Sequence, residues 1–206
     1  MVVVIDNAMG NAGSVLNMIK RAGGSAVISA EPDVIAQADK LLLPGVGAFD
    51  KGISRLKNAA FFPTLERKVL EGKTPFLGIC LGMQVLFDQS EEGALPGLGW
   101  IKGNVRRFDF DKLEETNALK IPHMGWNVVH AAKNNTILPT DEAELRYYFV
   151  HSFHVECEIP NDVLAVSSYG YDFTCAVQHE NIIGVQFHPE KSHRFGLGLM
   201  KNFIEW

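Results

Sequence analysis

The stretch "TPFLGICLGMQVLF", residues 74–87, decides how the chain folds, because it sets a cysteine between two glycines inside an apolar run. Pro75 to Ile79 reads as a strand buried on both faces, and Leu81 to Phe87 as the helix that follows it. Gly78-Ile79-Cys80-Leu81-Gly82 then has the G-x-nucleophile-x-G form of an elbow, with the nucleophile on a sharp strand-to-helix turn. Glycine at both flanks keeps a side chain from colliding with neighbouring strands or with the helix. Amides at the start of the helix point at the sulfur and favour its anionic form, and the Leu81 amide is placed to bind an oxyanion. Taken alone, the motif also fits a buried cysteine that serves as a small hydrophobe.

Outward from the elbow, strand and helix alternate. Val2 to Ile5 is a buried strand; Ser14 to Ala22 places Val15, Leu16, Met18 and Ile19 at helical spacing before Gly23-Gly24. A short strand near Ala26 to Ser29, a helix from Pro32 and the strand "KLLLPG" follow, and Leu56 to Leu70 reads as a helix interrupted by Pro63. Parallel strands need crossover connections, so this order predicts a parallel sheet with helices on both faces. The second half changes to short aromatic and β-branched runs separated by turn residues, among them "WIKGNVRRFDF", "HMGWNVVHA", "LRYYFVHSFHVE" and "NIIGVQFH", before a closing helix at Leu197 to Ile204. The expected fold is α/β: three layers, with a central, mostly parallel sheet flanked by helices and extended by antiparallel strands, in one domain over residues 1–206. The acidic stretch Asp109 to Glu115 is expected to form a mobile surface loop.

Composition narrows the functional classes. Hydrophobic residues are 47% and charged residues 21% of the chain, as in ordinary globular proteins, and the formal net charge of −5 comes without a basic, aromatic-rich stripe, which argues against nucleic acid as a partner. No apolar segment approaches the ~20 residues that span a bilayer, and Asp6 follows "VVVI" too soon for a signal peptide, so a cytoplasmic protein is expected. Three cysteines, Cys80, Cys157 and Cys175, form no even framework and are expected to be free thiols. Neither a metal site nor a cofactor is indicated.

A second feature, "GVQFHPEKS" at residues 184–192, gives the cysteine a partner. Pro189 pushes His188 toward an extended conformation, so the side chains of His188 and Glu190 can project to the same side. An imidazole beside a carboxylate is a base beside its orienter. Cys80 after one central strand and His188 with Glu190 after another lie at strand C-terminal ends, where open α/β sheets place their sites. His123, His130, His151, His154, His179 and His193 have no such setting, nor do Cys157 and Cys175, and all are assigned structural roles.

These residues resemble the class I glutamine amidotransferases, and within them the glutaminase subunits of imidazole glycerol phosphate synthase. The resemblance runs in order through "AMGNAGSV", "LLLPGVGAF", "GICLGMQVLF", "SEEG", "IPHMGWN", "YYFVHSF" and "GVQFHPEKS", nearly the whole chain. It implies a catalytic triad of Cys80, His188 and Glu190 that hydrolyses L-glutamine to glutamate and ammonia. It implies an oxyanion hole from Leu81 and the loop Gly45, Val46 and Gly47, and a glutamine site from Gln84, Glu92 and the backbone of Ser152 and Phe153. It further implies a heterodimer with a (β/α)₈-barrel synthase or cyclase that receives the ammonia and makes imidazole glycerol phosphate and aminoimidazole carboxamide ribonucleotide, with Asn11, Met124, Trp126, Tyr148 and Lys191 facing it. Met124 and Trp126 could equally be core residues. The sequence departs from the family in "DNAMGN" where Asp-Tyr-Gly often opens the first loop, and in "HSF" where "HSY" is common. Paralogues that supply ammonia to other acceptors, such as sugars of surface polysaccharide, therefore stay open as an alternative.

Overall fold

The structure, a computed structural model, describes residues 1–111, 119–140 and 144–206. Its first half alternates as the sequence predicts: β1 (Val2–Ile5), α1 (Ala12–Arg21), β2 (Ala26–Ser29), α2 (Pro32–Ala36), β3 (Lys40–Gly45), α3 (Phe49–Asn58), α4 (Phe62–Leu70), β4 (Phe76–Cys80) and α5 (Leu81–Gln84). The second half holds β5 (Gln89–Ser90), β6 (Gly103–Arg107), β7 (His123–Ala131), β8 (Leu145–His151), β9 (Phe153–Cys157), β10 (Val163–Tyr169), β11 (Tyr171–His179), β12 (Ile182–Val185) and the closing helix α6 (His193–Glu205). The main path of the sheet runs β2-β1-β3-β4-β12-β11-β10-β7-β8, with β9, β6 and β5 branching from β11. Strands β2, β1, β3, β4 and β12 are parallel; from β12 to β8 the pairing is antiparallel.

Period-two alternation on the central strands divides the interior into two layers. Val2 and Val4 of β1 join Val15, Met18 and Ile19 of α1 and Leu199, Met200 and Phe203 of α6 on one face. Val3 and Ile5 join Ile35, Ile53, Leu56, Leu65 and Val69 of α2, α3 and α4 on the other. Strand β12 is the element that builds the site: inserted between β4 and β11, it pairs Val185 with Ile79 and so brings the segment ending in His188 beside the one ending in Cys80.

Three expectations need correction. The helix expected over Leu56 to Leu70 is two helices, α3 and α4, because Pro63 sits in the first turn of a new helix instead of interrupting an old one. The helix expected to run to Phe87 ends at Gln84: the carbonyls of Val85, Leu86 and Phe87 accept from the amides of Leu98, Ile101 and Gly99, which draws the chain out of the helical path. The closing helix starts earlier than expected, at His193. Residues 112–115 of the acidic stretch expected to be mobile lie outside the described residues.

Candidate active site

Cys80 ends β4 and opens α5 with φ 55° and ψ −112°, a conformation that side-chain-bearing residues rarely adopt. The two glycines around it are required by contact: a Cβ on Gly78 would lie 2.3 Å from the Gly82 carbonyl oxygen, and one on Gly82 only 2.0 Å from that of Leu43. The sharp turn lifts the cysteine onto a cavity of about 340 Å³, the scale of a small-molecule site. Its walls are Val46, Gly47, Cys80, Leu81, Gln84, Glu92, Pro122, Val150, His151, Ser152, Phe153 and His188.

His188 is buried and held on every side. Its main-chain amide donates to the Tyr148 carbonyl at 2.9 Å, its carbonyl accepts from Ser192 Oγ at 2.6 Å, and its Nδ1 bonds the buried carboxylate of Glu190 at 2.8 Å. Nε2 is buried and has no hydrogen-bond partner among the described residues, which leaves it to the sulfur and to a substrate. Burial works against a charge on this imidazole, but the sulfur of Cys80 and the carboxylate of Glu190 outweigh it and lift the pKa to about 9. Both contacts favour the protonated ring. The other cysteines differ in kind: burial pushes the Cys157 thiol up to about 12 and that of Cys175 up as well, so neither offers a thiolate.

The remaining expected site residues gather around this centre. As the first residue of α5, Leu81 has an amide with no intrahelical acceptor. Val46 and Gly47 line the cavity, with Gly47 at φ +109°, whereas Gly45 lies behind it, packed so that a Cβ would come within 2.8 Å of the Gly82 nitrogen. Gln84 is buried, and its Nε2 donates to the Phe153 carbonyl at 3.1 Å. Glu92 sits on the rim, where its Oε2 accepts from the Phe49 amide at 3.0 Å. Ser152 and Phe153 form the wall between β8 and β9.

Outside the cavity, Met124 and Trp126 are 62% and 45% exposed, which removes them from the core. On neighbouring β8, Tyr148 stands edge-on to Trp126 at 6.3 Å, and Lys191 Nζ lies 5.7 Å over the Tyr148 ring. Asn11 is separate from these four: it caps α1 through Oδ1 to the Ser14 amide and borders a second depression with Val46 and Gly47.

His151, assigned a structural role from sequence, is part of the cavity wall, and Pro122, Val150 and the nearby Gln186 were not singled out at all. Burial pushes His151 down to about 3 and its neighbour His123 down to about 4, so both are neutral rings. Only the three-dimensional approach of β7 and β8 shows them; the sequence signal was limited to their place in "PHMGWN" and "FVHS". Among the described residues, no group of three or more His, Cys, Asp or Glu side chains could hold a metal ion, and no helix is long and apolar enough to cross a membrane.

A cysteine on a strained elbow, backed by a buried histidine-carboxylate pair, defines a class of amide-cleaving enzymes, and the comparison agrees: the sequence model described as "Glutamine amidotransferase class-I" matches residues 3–206, and the chain belongs to that family. Within it, the similar proteins are synthase subunits. The chain is 48% identical over 205 residues to "Imidazole glycerol phosphate synthase subunit HisH 2" of Methanococcus maripaludis, covering 100% of this chain and 99% of that one. It is 47% identical to the protein of the same name from Pseudomonas aeruginosa, with the same coverage, and 44% identical to "Imidazole glycerol phosphate synthase subunit HisH" of Bdellovibrio bacteriovorus over 100% of both chains. Similar solved structures include a putative GMP synthase component from Thermoplasma acidophilum, with TM-score 0.71 and 20% identity over 99% of this chain and 92% of that one. PurLQS from Thermotoga maritima matches with TM-score 0.71 and 16% identity over 99% of this chain and 94% of that one. At these identities the solved structures show the shared fold alone.

Proposed function

We infer that the chain is the glutaminase subunit of an imidazole glycerol phosphate synthase, one amidotransferase domain over residues 1–206 that works in the cytoplasm beside a (β/α)₈-barrel partner. The observation that carries the chemistry is the convergence of Cys80, at a strained elbow, with His188, held by Glu190, on one cavity of amino-acid size. The names of the similar synthase subunits support the pathway, and three unpaired cysteines fit a reducing compartment.

Glutamine enters with its α-carboxylate on the backbone of Ser152 and Phe153 and its polar groups on Gln84 and Glu92. The Cys80 thiolate attacks the side-chain amide carbon, and the oxyanion is held by the Leu81 amide and by a peptide of the Gly45-Val46-Gly47 loop. His188, whose protonated form the sulfur and Glu190 favour, delivers its proton to the departing nitrogen as the thioester forms. The neutral imidazole then takes a proton from water, which attacks the thioester and releases glutamate. Glu190 keeps Nδ1 protonated and the ring in register throughout. The ammonia passes to the partner, which docks on the patch of Met124, Trp126, Tyr148 and Lys191.

The test is glutamate release measured with and without the barrel partner and its ligand. Release should rise on adding the partner, and Cys80→Ala should reduce it by about 10³-fold or more. Near-normal release by that variant would remove Cys80 from the mechanism, and no response to the cyclase would remove the pathway.

A further inference from the structure

Gln186 has no part in the reaction as written above, yet it touches the reacting sulfur. It follows β12, is fully shielded from solvent, and places Nε2 3.6 Å from Cys80 Sγ. A carboxamide can be turned end for end without changing its shape, so its orientation must come from its neighbours. The Phe153 carbonyl can only accept, and it takes a hydrogen bond from Gln84 Nε2 at 3.1 Å. Gln84 therefore offers its second amide hydrogen to Gln186, which answers with Oε1 at 3.0 Å. The Gln186 NH₂ is left facing the sulfur.

The same carbonyl anchors a second row. His151 Nδ1 donates to Phe153 O at 2.8 Å, so His151 Nε2 is an acceptor, and it takes the Nδ1 hydrogen of His123 at 2.9 Å. His123 Nε2 accepts in turn from Asn127 Nδ2 at 3.2 Å. Asn127 is fixed because its Nδ2 also donates to the Ser168 carbonyl at 2.8 Å and its Oδ1 accepts from the Val128 amide at 2.8 Å. Each orientation in the network traces back to a main-chain group that can play only one role.

We propose that Gln186 is a catalytic residue of this site, donating a hydrogen bond that stabilises the Cys80 sulfur anion alongside His188. A thiol is a weak acceptor and a thiolate a strong one, so this bond strengthens on ionisation, and it does so where water cannot compete. A neutral carboxamide suits the position. It supports the anion without adding a charge that would displace the proton of His188, and it cannot take up a proton itself. The proposal rests on the reading of Cys80 as the nucleophile.

The test is the rate at which iodoacetamide, which needs no glutamine site, alkylates Cys80 as a function of pH, followed by peptide mass mapping. Gln186→Met, similar in length and uncharged, removes the donor to the sulfur together with the acceptor for Gln84; Gln186→Leu does the same with a shorter side chain and serves if the first variant does not fold. Either should slow alkylation at neutral pH about tenfold and move the profile to higher pH, in a chain that still unfolds cooperatively although at a lower temperature than the parent, since Gln84 loses an acceptor. An unchanged rate and profile in a folded variant overturns the proposal. Labelling of the parent chain, with the barrel partner and its ligand present, by a diazoketone analogue of glutamine, blocked by glutamine, tests the underlying reading separately. If that labelling fails, the nucleophile assignment falls; if it succeeds and the Gln186 variants alkylate normally, only the role of Gln186 falls.

Discussion

The Val46 amide donates to the Met9 carbonyl across 2.7 Å, so the cavity-lining loop beside Leu81 has its central N–H already committed. A peptide in that state cannot also bind an oxyanion at Cys80. Gly47, at φ +109°, is a natural pivot for turning it.

The isolated chain should therefore be a poor glutaminase. One missing oxyanion donor is worth roughly 10²–10³ in turnover, so glutamate release should rise by about that factor when the synthase partner and its ligand are added. Steady-state rates with and without the partner check this, and equal rates would show that the Val46–Met9 bond does not limit the reaction.

Glu190→Gln should keep the shape of the site and lose the reaction. A carboxamide can hydrogen-bond Nδ1 but cannot stabilise the imidazolium, and it permits the wrong tautomer. Partner-stimulated turnover should fall by about 10²–10⁴-fold while glutamine binding, read by calorimetry, changes far less.

Acid should destabilise the fold before most carboxylates titrate. His123 and His151 are pushed down to about 4 and about 3, whereas in the unfolded chain both ionise near their ordinary value of 6.5. The unfolded state thus binds more protons as pH falls. The stability contributed by keeping these rings neutral is complete above 6.5 and is lost progressively as pH drops toward 4, with a slope approaching about 2.7 kcal/mol per pH unit for the two rings together. Denaturant titrations between pH 4.5 and 7 check it; His151→Gln should roughly halve the slope.

Trp126→Ala should weaken partner binding without affecting the labelling of Cys80 by a glutamine analogue. Exposed tryptophans that anchor an interface are commonly worth about 2 kcal/mol, or about 30-fold in Kd. Titration calorimetry with the barrel partner reads this, and an unchanged Kd would place the docking surface elsewhere.

How much of this could be read in the sequence depended on which force fixed each element. "KLLLPG" is strand β3 to the residue, since a run of leucines ended by proline and glycine leaves little choice once the strand is buried on both faces. The elbow was legible because G-x-C-x-G is a short motif and Gly78 answers to a collision with Gly82 only four residues on; that Gly82 must also clear the Leu43 carbonyl of β3 was not visible. The end of α5 was not, because bonds from the amides of Leu98, Gly99 and Ile101 decide it, and apolar periodicity cannot see a partner that far along the chain. Gln186, His123 and His151 were hidden for the same reason: their neighbours come from β4, α5, β7 and β9.

The position of β12 bears on how the molecule is made. A strand far along the chain from its neighbour β4 occupies the middle of the sheet, with Ile182 set against Phe76 and His179. Until β12 is in place, the edge of β4 has no neighbour on that side and Cys80 has no histidine beside it. Pairing so distant in the chain closes slowly, so Cys80 and His188 come together only once this long-range pairing has formed.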